Sequence, residues 1–291
     1  MRRQLEELLD HFDVTRHIAR DPLQFPHRYR AEDDQEVVAF LASCLAFGRV
    51  AAFGAALERL LAELGPRPAR WLRERGGDGA LVPSLPAYRW LNSDDIGALL
   101  AAVGTVLQDF GSLEQLFLQG DDGASDTWTA LGRFSAELRT RAEQHHRQPG
   151  ERGRALSFLF PSSRGRSASK RQHLFLRWMV RPRGSLGDLG LWKGLSPSRL
   201  VVPCDVHVAR ISYALGLTSR AEASRRTADE ITSALRRIDP LDPVRFDFAL
   251  SHLGISGGCR GRRIESVCGV CDLRTVCRWW GAAGVSPLRT S

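Results

Sequence analysis

Hydrophobic periodicity is the feature that most constrains this chain. Apolar residues recur three or four positions apart almost from end to end, and nowhere do they alternate over a strand's length. The pattern predicts an all-α fold. Asp33 and Asp34 are placed to cap a helix carrying Val37, Val38, Leu41 and Leu45 as far as Gly48. Asp94 and Asp95 open another, with Ile96, Leu99, Leu100, Val103 and Leu107 on one face and Gly111 after it. A longer, polar-faced helix is expected from Ser125 to His145. Ser219 with Glu222 makes a capping-box pattern ahead of a helix over Arg225–Ile238, and Asp242-Pro243 starts one that runs to Gly254. Between Arg147 and Ser169 the chain is rich in Gly, Ser, Arg and Pro, which predicts a loop anchored by the apolar run Leu156–Phe160.

With 291 residues the chain can bury a large core without covalent staples. Its longest largely apolar stretch, Val37–Phe47, falls well short of the ~20 residues that span a bilayer. Met1-Arg2-Arg3 runs into Glu6, Glu7 and Asp10 rather than an apolar signal core, so a cytoplasmic protein with no membrane partner is expected.

Charge is distributed unevenly. Residues 1–150 hold 17 Lys/Arg against 22 Asp/Glu, whereas residues 151–291 hold 24 against 11. A basic half points to a polyanion, most simply nucleic acid. Of the 41 basic residues only Lys170 and Lys193 are lysine. A guanidinium does not deprotonate in proteins, whereas a desolvated ammonium does, so a surviving lysine marks a place where a neutral amine is needed, unless both survive by chance.

Four of the six cysteines, Cys259, Cys268, Cys271 and Cys277, crowd the C-terminal tail with the spacing C-x8-C-x2-C-x5-C. In a reducing compartment this reads as a metal site rather than a disulfide framework. Zinc and an iron–sulfur cluster both suit four thiolates. A single C-x2-C pair with two flanking cysteines, in one short loop around a larger object, favours [4Fe–4S], with zinc the alternative. Arg260, Arg262, Arg263, Arg274 and Arg278 give the loop positive charge. Cys44 and Cys204 sit in apolar company and read as buried thiols.

From Lys170 the chain reads KRQHLFLRWMVR. At 100° per residue, Lys170, Arg177 and Arg181 lie within about 40° of one another, with Phe175, Trp178 and Met179 on the adjoining and opposite faces. The simplest reading is an amphipathic helix with a solvated basic side. About 35 residues later, Val201-Val202-Pro203-Cys204-Asp205-Val206-His207-Val208 places Asp205 as the N-cap of a helix burying Val208, Ile211, Ser212 and Leu215. His207 reads as a structural histidine.

These residues resemble the helix-hairpin-helix DNA glycosylase superfamily, in particular endonuclease-III-like enzymes. The likeness lies in the Val-Pro-Cys-Asp-Val-His-Val segment, the late helix and the four-cysteine tail, although the first cysteine spacing is eight here and six there. The segments around Asp21-Pro22, Phe25–Tyr29, Asp34–Val37, Ala46–Arg49, Lys170–Arg181, Gly190-Leu191-Trp192 and Asp247–Leu250 look like a bacterial family of unknown function within that superfamily. The usual L-P-G-V-G hairpin is missing between Lys170 and Asp205, where Trp192–Leu200 fills the space. The longer separation is similar to that of archaeal 8-oxoguanine glycosylases, which have an atypical hairpin.

The resemblance implies a two-lobed fold with residues 31–199 as the central helical barrel, and residues 1–30 with 200–291 as a second lobe holding the cluster loop (259–277). It implies a bifunctional glycosylase that excises a damaged base, such as 8-oxoguanine, from double-stranded DNA. Lys170 would be the Schiff-base lysine and Asp205 the catalytic aspartate. Gln35, Phe175, Trp178 and Asp247 are the candidate substrate contacts, and Arg171, Arg177 and Arg181 the candidate backbone contacts. A nucleoid-associated monomer is expected. Two rivals are a non-catalytic DNA-binding protein of the same fold, and a zinc-stabilised nuclease or RNA-processing enzyme.

Overall fold

The computed structural model describes residues 1–81, 85–146, 152–162 and 165–280. Among them there are fourteen α-helices and no β-strand, so the all-α expectation holds. In chain order they are α1 (Arg2–Asp10), α2 (Val14–Ile18), α3 (Glu32–Leu45), α4 (Val50–Leu64), α5 (Pro68–Arg75), α6 (Ser93–Phe110) and α7 (Leu113–Gln119). Then follow α8 (Trp128–His145), α9 (Arg152–Leu159), α10 (Lys170–Val180), α11 (Val206–Ala214), α12 (Arg225–Ile238), α13 (Asp247–Ile255) and α14 (Glu265–Cys268). Among the described residues, no single helix is long and apolar enough to cross a membrane.

Helix α6 is the hub of the first half, packing on α5, α7, α8 and α9, while α3 packs on α4, α5 and α10. Their composition explains the arrangement. From Asp34 to Leu45 every residue of α3 is buried, and α6 buries a continuous run from Asp95 to Gly104. A helix apolar on nearly all sides has to be surrounded. Gly104 lets α5 approach α6 closely, since a Cβ there would stand 2.7 Å from the Gly76 carbonyl oxygen. In the second half α11 packs on α12 and α13. The N-terminal segment joins this group: Phe12 meets Phe248 edge-on at 5.2 Å, and Glu6 pairs with Arg245.

Several helix starts differ from the sequence reading. Asp33 and Asp34 lie inside the first turn of α3, after the N-cap Ala31. Asp34 instead accepts from the Ala69 amide at 2.9 Å and pairs with Arg67, tying α5 to α3. Helix α6 is capped by Asn92, with Asp95 as its reciprocal partner in a capping box. Helix α8 starts at Trp128 rather than Ser125. The cap of α12 is Ser224, leaving Ser219 and Glu222 outside. Helix α13 starts at Asp247, because the Asp242 carboxylate is committed to Arg181. Where a side chain does cap, at Asn92 and Ser224, it belongs to a residue with extended backbone at the start of the helix, whereas α3, α8 and α13 begin without a side-chain cap. The expected loop 147–169 is partly helical, since α9 takes up its apolar anchor; Arg147 to Glu151, Ser163 and Arg164 lie outside the described residues.

Glu36 shows how one buried carboxylate organises this half. Its oxygens accept from the Leu113 and Glu114 amides, each at 3.0 Å, and from Trp192 Nε1 at 2.7 Å. The acid on α3 thereby caps α7 and pins the segment after α10. Burial pushes its pKa up, against the three donors that favour its charge.

Candidate active site

Lys170 is the first residue of α10 and Asp205 the N-cap of α11, and the fold brings the two helix starts together. Lys170 Nζ lies 2.8 Å from Asp205 Oδ2. The lysine side chain is 38% exposed and the aspartate side chain 14%, so the pair sits at the floor of an accessible surface. Ser169, immediately before the lysine, has φ of +44° and ψ of +40°, a left-handed conformation that costs a non-glycine residue of order 1 kcal/mol or more. It turns the loop abruptly into α10 and so fixes where Lys170 starts. Asp205 is the expected N-cap, and its two oxygens are used differently. Oδ1 accepts from the His207 and Val208 amides at 2.9 Å each, capping α11, while Oδ2 faces the lysine. Burial raises the Asp205 pKa, but the Lys170 charge, its hydrogen bond and the Val208 amide outweigh this and hold the carboxyl below its ordinary value. Lys193 is different: its Nζ donates to the Gly190 carbonyl, and it has no ion pair among the described residues.

Behind the pair lies a buried ionic network. Arg177, 1% exposed, donates to Asp188 Oδ1 at 3.2 Å and to Asp247 Oδ2 at 2.7 Å. Arg181 joins Asp188 and also Asp242, the latter at 2.9 Å. Burial pushes Asp247 up to about 6 despite Arg177. Its Oδ1, like Arg177 Nη2, is buried with no hydrogen-bond partner. The chain after α10 folds back to complete this arrangement: the Leu189 amide donates to the Trp178 carbonyl at 2.8 Å and the Trp192 amide to that of Met179 at 2.9 Å. Gly190, at φ +58°, allows the reversal, since a Cβ there would meet the Arg183 nitrogen at 2.5 Å.

This geometry corrects several expectations. Arg177 and Arg181 are not a solvated basic face; three aspartates from later segments cover them. Arg171 is also turned inward, donating to the Cys44 and Phe158 carbonyls and stacking on the Phe158 ring at 3.7 Å. Burial lowers its pKa to about 10. Arg177 and Arg181 are buried away from any DNA backbone, and Arg171, part-buried, spends both terminal nitrogens on main-chain carbonyls. Phe175 is enclosed between Phe40 and Trp192, and Trp178 is wholly buried, so neither offers a stacking face. Gln35 uses its amide within the fold, Nε2 donating to the Tyr29 carbonyl at 2.8 Å. Asp247 stays beside the pair, but as the partner of Arg177.

Sequence reading missed His252 and Asp21, which feel the Lys170 charge, and the aromatic cluster packed on His252. His252 is buried on α13 with neither ring nitrogen hydrogen-bonded, 4.2 Å from the His17 ring, and its pKa is lowered to about 4 by burial and by the charges of His17, Arg177 and Lys170. Phe12 stacks on His17 at 4.5 Å. Asp21 is raised by burial, against the Leu23 amide and the charges of Arg177 and Lys170. His252 had a faint signal, five residues after Asp247 in an apolar helix; His17 had none. His207 has the structural role expected, with Nδ1 3.3 Å from Arg210 Nη2. Cys44 and Cys204 are buried thiols as expected, pushed up to about 11 and about 12 chiefly by burial.

The tail forms a second centre. Cys259, Cys268, Cys271 and Cys277 all line one cavity of about 200 Å³, walled by Ile211, Leu253 and other apolar side chains. Burial raises Cys271 and Cys277, and charge on the other cysteines raises them further. The Ile264 amide donates to Cys268 Sγ at 3.4 Å. Among the described residues no three His, Cys, Asp or Glu side chains close in on a point as a single ion requires.

Comparison with known proteins bears on identity alone. No curated protein and no solved structure matches the chain. Residues 21–256, well over half of the chain and including both Lys170 and Asp205, match the family described as Protein of unknown function (DUF2400), with the four cysteines beyond the matched stretch. The chain belongs to that family.

Proposed function

We propose that the protein is a DNA repair glycosylase with β-lyase activity that acts on a damaged base in duplex DNA. The observation that carries this reading is the approach of Lys170 Nζ to Asp205 Oδ2 at 2.8 Å, from positions 35 residues apart, at an accessible surface. It is one of only two lysines, and the amine of the other donates to the Gly190 carbonyl and has no ion pair among the described residues. The reading includes a two-lobed helix-hairpin-helix fold with an atypical hairpin, supported by the packing of Phe12, His17 and Glu6 against Phe248, His252 and Arg245.

In this mechanism the base is first drawn from the stack, at a cost of a few kcal/mol. The bond from C1′ to the base breaks with its electron pair leaving on the base. Asp205, held ionised, faces the positive charge that develops on the sugar. The departing base needs a proton and the Lys170 ammonium must lose one, so a single transfer serves both. The freed amine adds to C1′, and opening of the sugar ring gives an imine. Loss of a C2′ proton then expels the 3′ phosphate.

The four tail cysteines fit a [4Fe–4S] cluster better than zinc. All four line one cavity of about 200 Å³, and one C-x2-C pair with two flanking cysteines suits a single loop wrapped round a larger object. When bound, such a group orders the basic loop; it has no part in the chemistry above.

The test is borohydride trapping with duplexes carrying 8-oxoguanine, uracil, an oxidised pyrimidine or an abasic site. A covalent adduct should form with the native protein and with Lys193→Gln, and be absent with Lys170→Gln. No adduct, with every base left in place, overturns the glycosylase–lyase reading and leaves DNA binding without turnover.

A further inference from the structure

A cleft of about 530 Å³ lies between the loop that leads into α10 and the start of α12. Gly165 and Arg166 form one side, and Arg220, Glu222, Arg225 and Arg226 the other. The Arg225 amide donates to the Arg166 carbonyl at 2.9 Å, which fixes the two sides together. Four arginines and one glutamate thus line the cleft, and the Glu222 carboxylate stands 3.9 Å from Arg220.

The four arginines are not equally committed. Arg220 is held by Glu230 at 2.9 Å. Arg225 lies over the Trp128 ring at 4.4 Å, with Asp229 at 4.0 Å. Arg166 and Arg226 are exposed and have no ion pair among the described residues. The carboxylates of Glu222, Glu230 and Asp229 serve Arg220 and Arg225, which leaves Arg166 and Arg226 as the charges that a bound anion would compensate. The first turn of α12 holds no acidic residue and two arginines, so the helix end adds to the positive potential.

The position of the cleft matters as much as its charge. Arg166 is four residues before Lys170, so one wall of the cleft belongs to the chain that leads into the lysine. We propose that it holds a backbone phosphate of the DNA strand presented to Lys170, with Arg166 and Arg226 as its direct contacts. This inference rests on the DNA reading above, and it moves the phosphate grip from Arg171, Arg177 and Arg181 to residues that are exposed.

The experiment compares the native protein, Arg166→Gln/Arg226→Gln, and the charge-matched control Arg59→Gln/Arg237→Gln. Each is titrated with a duplex carrying an abasic-site analogue from 50 to 300 mM KCl. Each phosphate contact contributes about 0.9 to the slope of log K against log salt. The cleft variant should have a slope shallower by about 1, with the control unchanged and all three unfolding at the same temperature. A cleft variant whose slope equals the control's overturns the inference while leaving DNA binding intact. A native protein that binds no duplex overturns the DNA reading, and the inference with it.

Discussion

Replacing Arg177 by glutamine tests whether this cation belongs to the core or to a DNA-facing surface. Its side chain is 1% exposed, and its partners Asp188 and Asp247 are 0% and 3% exposed. Removing one member of a buried pair costs about 3–5 kcal/mol, because the other charge is left without compensation. Asp188 keeps Arg181 as a partner, so Asp247 is the residue left without one. Burial already pushes that carboxyl up to about 6, and without Arg177 it rises further and takes a proton near neutrality. Protonation limits the damage, so we expect a loss near the lower end, about 3 kcal/mol at pH 7.5. The loss should shrink towards pH 5, where Asp247 is largely neutral in the native protein too. Urea unfolding followed by circular dichroism measures this, with the midpoint falling and the slope m unchanged. Asp247→Asn in the same background should add little to the loss at pH 7.5. A change below about 1 kcal/mol accompanied by weakened DNA binding would refute the reasoning and return Arg177 to the surface.

Three further predictions concern other parts of the molecule. Burial lowers His173 to about 3 and His252 to about 4, from an ordinary 6.5. The unfolded chain therefore binds more protons between those values, so each histidine contributes stability present above pH 6.5 and lost as pH falls. The loss is about 2 kcal/mol each at pH 5, and His173→Phe should remove its share of the pH 5-to-7.5 difference in unfolding free energy. Cys268→Ala should abolish broad absorption near about 400 nm, a rough expectation for thiolate-bound iron, and lower the iron content measured by mass spectrometry; stoichiometric zinc in native protein contradicts the cluster. Glu36→Leu leaves the donors of Leu113, Glu114 and Trp192 without their acceptor and should cost at least about 3 kcal/mol in thermal or urea unfolding, at about 1–3 kcal/mol for each lost partner; a loss below about 1 kcal/mol would show that Glu36 is not the group holding α7 in place.

The candidate site was legible wherever a single residue stood out from the chain around it. Lys170 stood out because guanidinium had replaced ammonium nearly everywhere else, and Asp205 because a capping acid preceded an apolar helical run. Their pairing was not legible from spacing, which says nothing about how two helix starts are oriented. Phe175 and Trp178 illustrate the opposite failure. Both are large aromatics on a helix beside a basic residue, and only their enclosure by Phe40, Trp192 and the surrounding core separates filling a core from stacking on a base.

By itself the sequence determined the helices, since a 3.6-residue repeat of apolar side chains can bury its surface in one way only. It also determined the presence of a four-thiol tail and the identity of the lysine and the aspartate. Tertiary structure decided which charges face water. Arg177 and Arg181 have the same helical position as a solvated stripe, and Asp188, Asp242 and Asp247 make them a core. Arg166 and Arg226, far apart in sequence, become neighbours across a cleft. Charge acts through distance and dielectric, and neither quantity is written along a chain until the chain has folded.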